Sequence, residues 1–133
     1  MWHGILLFIL GLLTGVIVPL LKNPRMGVSA HLEALMNGIF LVVLGLVWKE
    51  TKFTPKAAKV TFGIALSTTY ANWVATFLSA VLGTSKLTPI AGAGFSAPEW
   101  QEILMAFALI SLSIATVTCC VLVLWGLRKP SPG

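Results

Sequence analysis

The chain has 133 residues, of which 57% are hydrophobic and 10% charged, with a mean hydropathy of +0.94. A soluble domain carries about 25% charged residues, so this chain cannot cover itself with a hydrated surface, which excludes most soluble enzymes and disordered linkers. Its net charge of +5 invites a nucleic-acid reading, but the basic residues sit at the ends of apolar segments, where they set membrane topology, and no nucleic-acid partner is expected.

A membrane-spanning helix needs roughly 20 mostly apolar residues. Four segments qualify, at about 4–21, 30–49, 58–83 and 98–127, and they predict an all-α fold. Residues 1–133 then form a single four-helix transmembrane domain. The first segment has no Lys or Arg before it and no small-residue cleavage site after it, so it reads as a span and not as a signal peptide. Gly11 and Gly15 stand at a spacing suited to close helix approach. Lys22-Asn23-Pro24-Arg25 supplies turn chemistry, and Ser29 is the expected N-cap of the second helix. That cap would put His31 and Glu33 in the first helical turn, near the outer membrane surface.

The second connection carries Lys49, Lys52, Lys56 and Lys59, with Glu50 among them. Along the third segment Thr61, Thr68, Asn72, Thr76 and Ser79 fall within about 80° of arc at 100° per residue. Hydrogen bonding between helices is the favoured role for this stripe, and lining a pocket is the alternative. Residues 84–97 are long enough for a lid or re-entrant piece. Glu99 and Glu102 open the last helix, where acids complement its dipole. Ser113, Thr116 and Cys120 lie on one side of that helix and Ser111 and Thr118 on another, compatible with contacts on both sides. Cys119 and Cys120 point about 100° apart and read as packing residues, neither a disulfide nor a metal pair. Six Lys and Arg, with Arg128 and Lys129 among them, fall on the side of the termini, against three on the other. The termini are therefore expected in the cytoplasm.

Groups able to do chemistry are few. No histidine lies at the depth of the span hydroxyls, so a Ser-His-Asp triad lacks its base. Gly92-Ala93-Gly94 is not followed by a phosphate-loop pattern, which excludes nucleotide chemistry. Glu33 stands out because Asn37, four residues on, shares its helix face, and an ionisable group within a span is functional by default. His3 and His31 are expected on opposite membrane sides, roughly 30 Å apart, so any metal or haem on His31 would have a single histidine ligand. Such a haem keeps an open position, which suits binding or catalysis.

The stretch from Asn23 to Gly38, with Ala30-His31 and Asn37-Gly38 at its heart, resembles the membrane mutase and isomerase family of hydroxylaminobenzene mutase and styrene oxide isomerase. Thr68-Thr69-Tyr70-Ala71-Asn72-Trp73 is similar to the third-span segment of that family. The resemblance implies a multi-pass protein of the bacterial inner membrane, assembled as a homotrimer with haem b between subunits and acting on a small aromatic substrate. It implies that His31 is the axial iron ligand, with Arg25 also binding the cofactor. Asn37 and Tyr70 would lie on the substrate side, and Thr68, Asn72 and Trp73 would line the pocket. His31 and Asn37 point about 120° apart, so a haem shared between subunits accommodates both. Glu33 is characteristic of the mutase-like sequences, whereas the epoxide-isomerase pattern has a small residue there.

The implied reaction moves a hydroxyl from nitrogen to the ortho ring carbon, turning an arylhydroxylamine into a 2-aminophenol. Ferric haem would act as a Lewis acid, a dry pocket would exclude water, and Glu33 would shuttle the proton. The rivals are an epoxide isomerase of the same fold, a small four-span transporter and a non-catalytic assembly subunit. Transporters of that kind rely on an acid within the first span, and this chain has none there.

Overall fold

A computed structural model describes residues 1–128 of the protein; Lys129, counted above with the basic residues of the termini, lies outside the described residues. Every element is helical. Helix α1 spans Trp2–Ile17 and continues through a 3-10 turn, Val18–Leu20. Helix α2 spans Pro24–Val47 and closes with a second 3-10 turn, Trp48–Glu50. Helix α3 spans Pro55–Leu82, the short α4 spans Pro89–Gly92, and α5 spans Glu99–Arg128. By length and composition, Trp2–Leu20, Pro24–Glu50 and Glu99–Arg128 suffice to cross a membrane. Helix α3 is long enough at about 1.5 Å per residue, but its hydroxyls and Asn72 dilute its apolar character.

The main departure from expectation is where α2 begins. Asn23, not Ser29, is its N-cap: the Asn23 side chain accepts from the Met26 amide at 3.2 Å, and Pro24 occupies the first turn. Pro24 needs no backbone donor there, so the helix starts six residues early. His31 therefore lies about 10 Å along the helix, not in its first turn. It stands beside Gly11 and Gly15 of α1, about 12–18 Å of helical rise from His3. That is roughly half the expected separation, yet still too far for both to reach one ion.

The long helices stack in chain order, α2 between α1 and α3, with α5 packed on α3 and making no comparable contact with α1. The result is an open arrangement and not a closed bundle. Small residues set the spacing, as expected where lipid offers no hydrophobic drive between helices. The α1–α2 seam is tightest where Gly4 meets Gly38: a Cβ on Gly38 would sit 2.7 Å from the Gly4 carbonyl oxygen. Ala34 and Ala65 are fully buried beside Leu7 and Cys119. Ile9, Leu12 and Val16 of α1 and Phe107, Val121 and Leu124 of α5 face outward. Apolar side chains on the periphery and small or polar ones within suit hydrocarbon surroundings.

In the polar stripe of α3 the Thr68 and Thr76 hydroxyls do not join helices, and the buried Ser79 Oγ has no hydrogen-bond partner among the described residues. Thr68 donates to the Ile64 carbonyl at 2.8 Å and Thr76 to the Asn72 carbonyl at 3.0 Å, each within its own helix. Ser113, Thr116 and Thr118 of α5 likewise bond back four residues, at 2.8 Å. Back-bonding satisfies each hydroxyl without a partner helix. The polar links between helices come instead from amide, indole, imidazole and phenol groups, described below.

Replacing Gly38 by Val forces α1 and α2 apart and is expected to cost about 1–3 kcal/mol. A lowered midpoint of thermal unfolding in detergent, against an unchanged Gly63→Ala control with open space at its Cβ, checks this.

Candidate functional site

Glu33, half-buried on α2, is held by two asparagines. The Asn37 amide, one turn on, donates to Glu33 Oε2 at 3.4 Å and to the Thr69 carbonyl of α3 at 3.3 Å. Asn72 of α3 donates a short hydrogen bond to the same Oε2. Two N–H donors converging on one oxygen are what a carboxylate needs where water is scarce. The same bonds lock the register of α2 against α3.

Glu33 and Asn72 line a cavity of about 590 Å³ bounded by α2, α3, α4 and α5. Thr76 and Ser113 add hydroxyls to its wall, and Met26, Leu109 and Ile114 supply apolar surface. This volume suits a small aromatic molecule, and a mostly apolar wall with a few converging polar groups is the common form of a ligand site. A second cavity, of about 290 Å³ at the other end, holds His3, Trp48 and Lys49 but no acid.

The segment 83–98, with α4 at its centre, covers the larger cavity: Leu87, Thr88 and Ala91 line it. Its tethers come from both sides. From the α1–α2 turn, Lys22 Nζ donates to the Leu82 and Ser96 carbonyls at 2.8 and 3.3 Å. Asn23 Nδ2 donates to the Ala91 carbonyl at 2.9 Å, and Arg25 to the Ala93 carbonyl at 2.5 Å. From α5, the Glu102 carboxylate, only 4% exposed, accepts the Ser85 and Lys86 amides at 3.0 Å and the Ala97 amide at 3.3 Å. Glu102 is thus a staple for this segment and not merely a helix-start acid. Glu99 keeps the surface role, paired with Lys86 at 3.5 Å. Sequence reasoning missed the staple because the amides it serves lie 5 to 17 residues away and carry no residue-type signature.

His31 lies on the other face of α2. Its Nδ1 is 2.7 Å from the Gly11 carbonyl oxygen, so Nδ1 carries the proton and donates. A Cβ on Gly15 would lie 2.7 Å from the ring, so Gly15 provides the notch the imidazole fills. Donation of one ring N–H to a backbone carbonyl is the usual way a metal-ligating histidine is oriented, with Nε2 left as the ligand atom. The donor set at His31 therefore fits a haem. Among the described residues no cluster of three or more His, Cys, Asp or Glu could hold a metal ion by itself.

The remaining sequence-designated residues divide between the two faces. Asn72 lines the cavity, whereas Thr68 is buried and bonded within α3. Trp73 Nε1 donates to Thr14 Oγ1 of α1 at 3.1 Å. Tyr70 donates its hydroxyl to the His3 carbonyl at 3.1 Å and lies edge-on to the His3 ring. Tyr70 and Trp73 thus bind α3 to α1, away from Glu33. Arg25 engages the covering segment rather than His31, which lies about 120° around α2 from it.

An apolar helical protein with an oriented histidine on one face of α2 and a half-buried, amide-clamped carboxylate beside a covered cavity is the architecture of a membrane enzyme. The sequence pattern of the styrene oxide isomerase family matches residues 1–128. Hydroxylaminobenzene mutase HabB from Ectopseudomonas oleovorans is 50% identical over 127 residues, covering 95% of this chain and 77% of that protein. Hydroxylaminobenzene mutase HabA from the same organism is 38% identical over 127 residues, covering 95% and 94%. No solved structure gives a significant match. The chain belongs to the styrene oxide isomerase family and is an enzyme of the isomerase and mutase class.

Replacing Glu102 by Ala releases three amides from charge-assisted hydrogen bonds, each worth about 1.5–3 kcal/mol. Hydrogen exchange at Ser85, Lys86 and Ala97 is expected to accelerate about tenfold or more, with the α1–α2 seam unchanged, as mass spectrometry of the detergent-purified protein would show.

Proposed function

We propose that this enzyme isomerises arylhydroxylamines to 2-aminophenols by intramolecular hydroxyl transfer. The observation that carries the reading is the Glu33–Asn37–Asn72 cluster at the wall of the covered cavity. The activity named for the two relatives supports it. In the reaction the N–O bond breaks, a C–O bond forms at the ortho carbon, the ring proton leaves and the nitrogen gains a proton. Atoms and electrons balance without an oxidant or reductant.

The cofactor in this reading is haem b, which His31 would hold through Nε2 between the subunits of a homotrimer. When bound, the haem supplies Lewis acidity toward the N–OH oxygen. The chain's own residues do the rest. His31 is kept in one tautomer by the Gly11 carbonyl. Glu33 Oε1 takes the ring proton and returns one to nitrogen, so the carboxylate ends as it began. Asn37 and Asn72 hold that carboxylate in place through Oε2. The covering segment, tethered by Lys22, Asn23, Arg25 and Glu102, keeps water from the electron-poor ring. His31 and the Glu33 cluster occupy different faces of α2, which favours a site completed by a neighbouring copy.

This reading has four spans, α1, α2, α3 and α5, in the bacterial inner membrane with termini in the cytoplasm. In its support, the Lys52 amide donates to the Gly126 carbonyl at 3.0 Å, so the lysine-rich second connection and Arg128 share one end. A second reading, epoxide isomerisation, is favoured by the family match; the Glu33 carboxylate at the cavity wall, which would repel an oxirane oxygen, speaks against it.

The purified protein is expected to convert phenylhydroxylamine to 2-aminophenol with no added nicotinamide. Failure to do so, with turnover of styrene oxide instead, would establish the second reading. Glu33→Gln is expected to lower turnover about 100-fold while the haem Soret absorption stays. His31→Ala is expected to lose the Soret band and activity together; haem retained at full occupancy would refute the ligand assignment.

A further inference from the structure

The two carboxylate oxygens of Glu33 are not equivalent. Asn37 and Asn72 both donate to Oε2, and among the described residues no donor is assigned to Oε1. Glu33 lines the cavity beside Asn72, Thr76 and Ser113. With Oε2 occupied, Oε1 is the acceptor left for whatever enters. The neighbouring hydroxyls do not compete for it, because Thr76 and Ser113 donate to the carbonyls of Asn72 and Leu109 at 3.0 and 2.8 Å.

We infer that Glu33 Oε1 is a polarity filter that selects aromatic ligands bearing an N–H or O–H donor and rejects those whose only polar atom accepts. The inference rests on the proposed mutase reading for its natural ligand, since an arylhydroxylamine offers both N–H and O–H. An oxirane or ether offers only lone pairs, and in this cavity these would meet a carboxylate oxygen with no attraction between them. The carboxylate therefore discriminates before any bond is broken. Its selectivity rests on that one acceptor, which a ligand without a donor leaves unpaired.

The asparagine clamp also gives the filter a sign that one substitution inverts. In Glu33→Gln the Asn37 and Asn72 amides still require an acceptor at the Oε2 position, so the glutamine carbonyl takes that place. The glutamine NH2 then stands where Oε1 was and presents donors to the cavity. A residue serving only to join α2 to α3 would show no such inversion.

The test uses two probes that do not react, phenol as donor and anisole as acceptor only, titrated by calorimetry into the full-length haem-loaded protein in lipid nanodiscs. The wild-type protein is expected to prefer phenol, and Glu33→Gln to weaken phenol about tenfold or more while anisole binds as well or better. Comparison of variant with wild type cancels partition of each probe into lipid. Equal loss of both probes, or no change in either, would overturn the filter, and an unaltered circular dichroism melt distinguishes those outcomes from unfolding. Absence of phenylhydroxylamine turnover with the inversion intact would overturn the mutase reading alone. Turnover without the inversion would overturn the filter alone.

Discussion

A carboxylate among apolar helices must find its hydrogen-bond donors within the protein, because hydrocarbon supplies none. At Glu33 that constraint is met by Asn37 from the same helix and Asn72 from the next. The rest of the site follows from it. The Asn72 bond to Oε2 and the Asn37 bond to the Thr69 carbonyl set α2 against α3 in one register. That register brings Asn72 and Thr76 to the cavity wall and sends Tyr70 and Trp73 to the opposite side, toward α1. One electrostatic requirement thereby separates the faces of α3 into one that lines the cavity and one packed on α1.

The same economy of polar groups governs the covering segment. A short helix such as α4 cannot hold itself in place, and its carbonyls and amides require partners. Lys22, Asn23 and Arg25 serve the carbonyls from one side, while Glu102 serves the amides from the other. Most charged groups on the side of the α1–α2 turn are thus spent on this segment, although they look like ordinary topology determinants in the chain.

On the α1 side, close backbone approach takes the place of polar clamping. Gly4 and Gly38 bring the helices together, and Gly11 and Gly15 leave the volume that the His31 ring occupies. The glycine spacing was legible in the chain as a helix-approach signal, but its partner was not. Nothing in the spacing says that Gly15 faces an imidazole or that the Gly11 carbonyl takes its proton. His31 itself was legible as a lone histidine, and Glu33 with Asn37 as a same-face pair, because both rest on local helical geometry. The N-cap was misplaced because Ser29 and Asn23 are equally good caps locally. Pro24 at the first helical position, together with Asn23's bonds to the Met26 amide and the Ala91 carbonyl, decides in favour of Asn23.

By itself, the sequence determined the helical class, the long apolar segments and the short census of groups able to do chemistry. These depend on composition and on periodicities that each helix carries alone. The tertiary structure decided which of those groups meet. It joined Glu33 to Asn72 across 39 residues and Glu102 to amides in a distant connection, and it parted Tyr70 from the cavity. The reason is that hydrogen bonds between helices are set by register and rotation. Those are properties of a helix pair, and in hydrocarbon small residues and a few buried polar groups choose between arrangements of otherwise similar packing.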